Sequence, residues 1–218
     1  MSDFKKNKRN KIRRIPERAS YSKATIYPII DAAPICHLGF VDDGQPFVIP
    51  TIHARADDTL FVHGAKSSRT LKQSSSGIPM CVTVTLIDGL VVARSLFHHS
   101  MNYRSAIVFG QGRLVTDAEE KFEALTAIAE HMIPGRWDEA REPNKKELRA
   151  TSVVAIEIDS ASAKTRNGPP VDDDEDYELP IWAGIVPIKT QYLYPEPDSR
   201  LREEIEVPES LQKLMSNY

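Results

Sequence analysis

The stretch MCVTVTLIDGLVVARSLFHHSMNYRSAIVFG, residues 80–110, decides the fold. Its two ends, MCVTVTLI and SAIVFG, are β-branched and apolar, the composition of strands half or wholly buried in a sheet. Asp88-Gly89 reads as a hairpin turn between MCVTVTLI and LVVARSLF. YRSAIVFGQGRLV continues as a further strand, and Gly110-x-Gly112 inside it marks a bulge or strong bend.

The same signals extend outward. ICHLGFV, DDGQ and PFVIPTIHAR form a second hairpin with Asp43-Gly44 in its turn, and ADDT leads into LFVHG. Ser67 to Ser76, stopped by Gly77, reads as a short helix between strands. Ser22 caps a short helix carrying Ile26, Ile29 and Ile30, which Pro28 keeps from being long. Thr116 and Glu119 fit a capping box for a helix whose Phe122, Leu125, Ile128, Ala129 and Met132 face the core; Asn144 and Glu147 fit another. TSVVAIEID is a strand, DDDEDYE (172–178) a solvated loop, and LPIWAGIVPIK a turn passing into a strand. Six or seven strands with few, short helices imply a mainly β protein, a closed antiparallel barrel with helical decoration. No GxGxxG follows a strand, which disfavours a Rossmann dinucleotide site.

With 218 residues, 41% apolar and 27% charged, the chain is large enough for one sizeable core and unlike collagen-like or wholly disordered sequences. The net charge of −3 hides an asymmetry: residues 1–14 carry about +6 and the remainder about −9. The body is therefore no nucleic-acid binder, and the arm reads as mobile. Residues 15–192 form the domain and 193–218 an extension. Cys36 and Cys81 lie apart in apolar stretches without a CxxC, so two free thiols and no structural zinc are expected. No signal-peptide core and no membrane-spanning stretch occur, and a cytoplasmic protein is the simplest expectation.

Three segments could carry chemistry. In FVHGAKSSRTLK a strand ends at His63-Gly64 and Lys66, Ser67, Ser68 and Arg69 crowd the next helix start. Free N–H groups, two hydroxyls and two cations there suit a phosphate dianion, although a solvated Ser-capped helix start would look similar. In HHSMNYRS, residues 98–105, a polar cluster at strand ends could present donors to a heterocycle, or merely satisfy its own connection. His98 and His99, adjacent on a strand, would point to opposite faces and not share a metal. Trp182 is either core or an aromatic wall against a planar ligand.

Taken together, FVIPTIHAR, LFVHGAKSSR, MCVTVTLIDGLVVARSLFHHSMNYRSAIVFG and LPIWAGIVP resemble the pyridoxamine 5′-phosphate oxidase-like FMN-binding split-barrel family, in its nitroimidazole-reductase-like branch. The resemblance implies a six-stranded antiparallel split β-barrel and a homodimer with FMN in each interface cleft. It places the FMN phosphate at Lys66, Ser67, Ser68 and Arg69, with His63 nearby, and the flavin ring along Ile49, Pro50 and Thr51 and near Thr85. Ser100, Asn102, Tyr103, Arg104 and Ser105 would close around the cofactor, and Trp182 would reach it from the partner chain. His63 and His99 are the proton-relay candidates. VIPTIHAR stands where the oxidases proper carry an RxVLLK-type strand, so an FMN-dependent oxidoreductase with another small-molecule acceptor is expected, without nucleic acid, membrane or metal. The alternatives are a haem-binding split barrel, with His63, His98 or His99 on the iron, and a flavin carrier without turnover.

Overall fold

The structure, a computed structural model, describes residues 3–68 and 76–216. Eight strands form one antiparallel sheet: β1 (Ala19–Ser20), β2 (Ile35–Asp42), β3 (Gln45–Ala56), β4 (Thr59–Ala65), β5 (Ser76–Val92), β6 (Ser100–Leu114), β7 (Thr151–Arg166) and β8 (Gly184–Pro187). Six of them close into a ring in the order β7-β4-β3-β2-β5-β6, because β6 pairs back onto β7 from Tyr103↔Arg166 to Leu114↔Val154. This is the expected six-stranded barrel, with β1 added to β7 and β8 to β5.

Alternation along each strand sorts the side chains. Leu38, Leu60, Val62, Val82, Val84, Val108 and Ile156 fill the interior. Helix α1 (Lys23–Asp31) contributes Ile26, Tyr27, Ile29 and Ile30 to the same core. Ser22 caps α1, its side chain accepting from the Ala24 N–H. Outside the ring, Ala54, Phe61, Val153 and Ala155 form a second cluster with Ala124 and Ile128 of α2 (Ala118–Met132). Two shorter helices follow, α3 (Arg136–Glu139) and α4 (Lys145–Ala150), and α5 (Glu209–Ser216) ends the described chain. The capping box at Asn144 and Glu147 is present in full, whereas α2 starts one residue later than expected, with Asp117 accepting from the Glu120 N–H.

The first hairpin forms as read, with Asp43 and Gly44 both at positive φ. The second does not. β5 runs unbroken through Asp88-Gly89, and the register slips there against β6 so that Asp88 becomes the extra residue of a bulge. Gly89 is needed for packing: a Cβ would stand 3.0 Å from the Val186 carbonyl of β8. The bulge expected in β6 falls instead on its partner: the register shifts at Gly110, but the extra residue is Asp159 of β7, and a Cβ on Gly110 would fall 2.1 Å from the Glu157 carbonyl oxygen. The helix expected over 67–76 lies mostly outside the described residues; positions 66–67 form a turn and Ser76 opens β5.

The arm read as mobile lies on the barrel. Asn10 is buried and donates to the Ala161 carbonyl at 3.1 Å, and Phe4 meets Tyr27 edge-on. The acidic segment is likewise anchored at its start: buried Asp172 accepts from the N–H groups of Arg94 and Ser95. Burial opposes charge on Asp172, but those donors and the Arg94 guanidinium outweigh it and hold its carboxyl below the usual range.

Candidate functional site: the split between β3 and β4

The ladder between β3 and β4 covers only Ala56↔Thr59 to His53↔Val62. Beyond it the strands part: β3 stays with β2 as far as Gln45, while β4 stays with β7 as far as Ala65. The parting opens a small cleft of about 110 Å³ with Ile49, Pro50 and Thr51 on one wall and His63, Gly64, Ala65 and Ser68 on the other. Leu38 and Val62 line it from the barrel core. The expected ring strand and the expected phosphate turn therefore face each other, brought together by a register that ends early.

Past Ala65 the chain turns, with the Ser68 N–H donating to the Ala65 carbonyl at 2.8 Å and the Lys66 N–H to the Ala150 carbonyl at 3.0 Å. The side chains of Lys66 and Ser67 are exposed; Arg69 lies outside the described residues. A second cation stands close by, unforeseen in the sequence. Lys121 of α2 donates from Nζ to the carbonyls of Leu148 and Thr151, and burial together with the positive charge of Lys66 lowers its pKa. Two ammonium groups that repel one another favour an anion between or beside them.

His63 is half-buried, and its Nδ1 is shut off from solvent without a hydrogen-bond partner. Burial lowers its pKa, which favours the neutral imidazole. The ring borders the cleft and also a larger groove on the other side, between β3 and α2, where it meets Ile52, Leu125 and Met132.

The remaining expected residues are spread over β5, β6 and the segments beyond them. β-ladder pairings put Pro50, His37, Thr83 and Ile107 in one cross-strand row, and Thr85, two residues along β5, pairs with Ser105. Ser105 Oγ donates to the Lys164 carbonyl. Asn102 is buried and committed: its amide donates to the Gly168 carbonyl and its oxygen accepts from Arg166. Arg104 is held by Asp88, Nη2 to Oδ1 at 2.7 Å, the carboxylate being the bulge residue of β5. Ser100 and Tyr103 take ladder positions opposite Val91 and Ile87. His99 is exposed with Nδ1 3.0 Å from the Ser95 carbonyl, while His98 Nε2 faces Asp173 at 3.2 Å. His98, Asp173 and Asp176 could offer one ligand atom each within 4.8 Å, an arrangement exposed groups commonly reach without an ion. Trp182 is 65% exposed and folds over Gly184.

A family model described as pyridoxamine 5′-phosphate oxidase matches residues 22–165, a span that includes both walls of the cleft. The chain belongs to this family. Among solved structures it is similar to a flavocytochrome from Azotobacter vinelandii, at 39% identity and a TM-score of 0.89 over 95% of this chain and 97% of that one. It is similar to a FAD and haem binding protein from Mycobacterium smegmatis, at 36% identity and a TM-score of 0.87 over 91% and 97% of the two chains. A candidate 5-nitroimidazole antibiotic resistance protein from Bacteroides thetaiotaomicron aligns at 25% identity and a TM-score of 0.56, over 67% of this chain and 85% of that one. No curated protein matches the chain.

Proposed function

We propose that the protein is a redox protein of this family that holds a flavin nucleotide in the split, carries a haem as a second group, and serves a small-molecule acceptor. The observation that carries the flavin is the juxtaposition of Ile49, Pro50 and Thr51 with the turn at His63–Ser68, beside the paired cations Lys66 and Lys121. The likeness over nearly the whole chain to a flavocytochrome and to a FAD and haem binding protein supports both groups. FMN and FAD would present the same ring and first phosphate to this cleft; FMN follows from the family resemblance, and the Mycobacterium smegmatis relative favours FAD.

A bound flavin supplies hydride or electron transfer. The chain's own part is binding and orientation. Lys66, Ser67 and Ser68, with Arg69, hold the phosphate; Pro50 and Thr51 lie along the ring; neutral His63 closes one side and is the nearest proton carrier. Asn102 and Arg104, each committed to a partner, keep the end of β6 in shape, while Thr85, Tyr103 and Ser105 line the outer face. A cleft of about 110 Å³ is smaller than cofactor sites of roughly 300–1,000 Å³, so further walls are required. A second copy of the chain supplies one, docking on the outer face where Ile35, Val48, Ile87 and Ile107 stand exposed, with Trp182 reaching the partner's flavin. The dimer works in the cytoplasm without nucleic acid or membrane; no described helix is long and apolar enough to cross a bilayer.

The test is flavin retention by Lys66→Ala and Ser68→Ala. Loss of one charge-assisted phosphate contact is worth about 1.5–3 kcal/mol, so the Lys66 variant should bind flavin roughly 10- to 100-fold more weakly. Wild-type affinity in both variants would remove the phosphate from this turn.

A further inference from the structure

Alternation along β4 sends Leu60 and Val62 into the barrel and Phe61 to the opposite side, against α2; His63 shares that side with Phe61. There it enters a groove of about 440 Å³ walled by Leu125, Ile128, Ala129 and Met132 of α2, with Trp137 at one end. The volume falls within the range of cofactor sites, roughly 300–1,000 Å³. Its lining is apolar along the helix and charged only towards Arg141 and Glu147, which pair with each other at 2.8 Å. An apolar slot with a histidine on one wall matches a flat, greasy macrocycle that bears a metal at its centre.

We propose that this groove is the haem site, with His63 as the axial ligand of the iron. The assignment rests on the haem reading above. The other histidines fit less well. His53 is fully buried and donates to the Ile30 carbonyl, outside the groove. His98 is engaged by Asp173, and neither His98 nor His99 lines the groove. His63 alone among these borders both the split and the groove. Flavin and haem would therefore stand on either side of one imidazole.

The experiment compares visible and electron paramagnetic resonance spectra of wild type, His63→Ala, Ala129→Trp and His99→Ala, all purified from cells supplied with a haem precursor. Expected for wild type is a Soret band of a histidine-ligated haem beside the flavin absorbance. His63→Ala should lower the haem content about 10- to 100-fold, with exogenous imidazole restoring the ligation spectrum. Ala129→Trp fills the groove away from the split and should lose haem while keeping flavin; His99→Ala should keep both. An unchanged ligation spectrum in His63→Ala overturns the ligand, and full haem content in Ala129→Trp overturns the groove. If His63→Ala does not fold, Ala129→Trp decides the groove, and the more conservative His63→Met, which should replace the imidazole signature with that of a thioether, decides the ligand. Wild type that holds flavin but takes up no haem refutes the haem reading itself and leaves the flavin site standing.

Discussion

His53 offers a prediction whose size follows from its surroundings. Its ring is fully buried where β3 passes beneath α1 and α2, donating from Nε2 to the Ile30 carbonyl at 3.1 Å, with Nδ1 unpartnered. The ring of His131, which donates to the Ala33 carbonyl, lies 4.8 Å away. Burial, reinforced by the charge on His131 and opposed by the Ile30 bond and Asp31, depresses the His53 pKa from 6.5 to about 4. The unfolded chain therefore takes up this proton before the folded one does. The stabilisation is complete above about pH 6.5, declines as the pH falls, and is exhausted below about pH 4. Between about pH 7.5 and about pH 5 the cost amounts to about 2 kcal/mol, rising to about 3 kcal/mol in full. His53→Gln keeps a side-chain donor for the Ile30 carbonyl but cannot titrate. Urea unfolding followed by circular dichroism should show wild type losing about 2 kcal/mol more than the variant over that interval. Equal losses in the two proteins would refute the argument.

Other parts of the fold give further outcomes. Gly110→Ala sets a methyl against the Glu157 carbonyl at the β6–β7 bulge and should destabilise by about 3 kcal/mol, measured as a shift in the urea midpoint. Asp172→Asn removes the charge that accepts from three donors, the Arg94 and Ser95 N–H groups and the Arg94 guanidinium. Hydrogen exchange at residues 94–99 should rise, and a part of the acid sensitivity should vanish, because a depressed carboxyl pKa stabilises the fold at neutral pH and loses that effect on acidification. Leu60→Ala, in the barrel interior, should cost about 2–5 kcal/mol in the same unfolding assay.

The barrel was legible wherever local chemistry and long-range pairing agree. At Asp43-Gly44 both residues adopt the left-handed backbone that the turn requires, so the hairpin could be read from six or eight residues. At Asp88-Gly89 the same dipeptide serves a different end: β6 offers a ladder along the whole of β5, and the glycine admits β8. A two-residue signal cannot foresee a partner strand nearly a hundred residues later. The basic arm misled for a related reason, since its charge says nothing of the Ala161 carbonyl that receives Asn10. The candidate site divides in the same way. Lys66, Ser67 and Ser68 stood out because cations and hydroxyls adjoin a strand end, and the two walls came together through the family resemblance. Lys121 was invisible, because its place depends on how α2 lies across the junction of α4 and β7 at Leu148 and Thr151. Asn102 looked available in sequence, but its commitment to Arg166 is tertiary.

The most direct measurement is mass spectrometry of the small molecules released when the purified protein is denatured, quantified per polypeptide and repeated on Lys66→Ala. A flavin nucleotide approaching one per chain in wild type, sharply depleted in the variant, is the result predicted by a flavin held in the split with its phosphate on the turn at Lys66. Release of no flavin from wild type, even after incubation with FMN and FAD, would contradict the account.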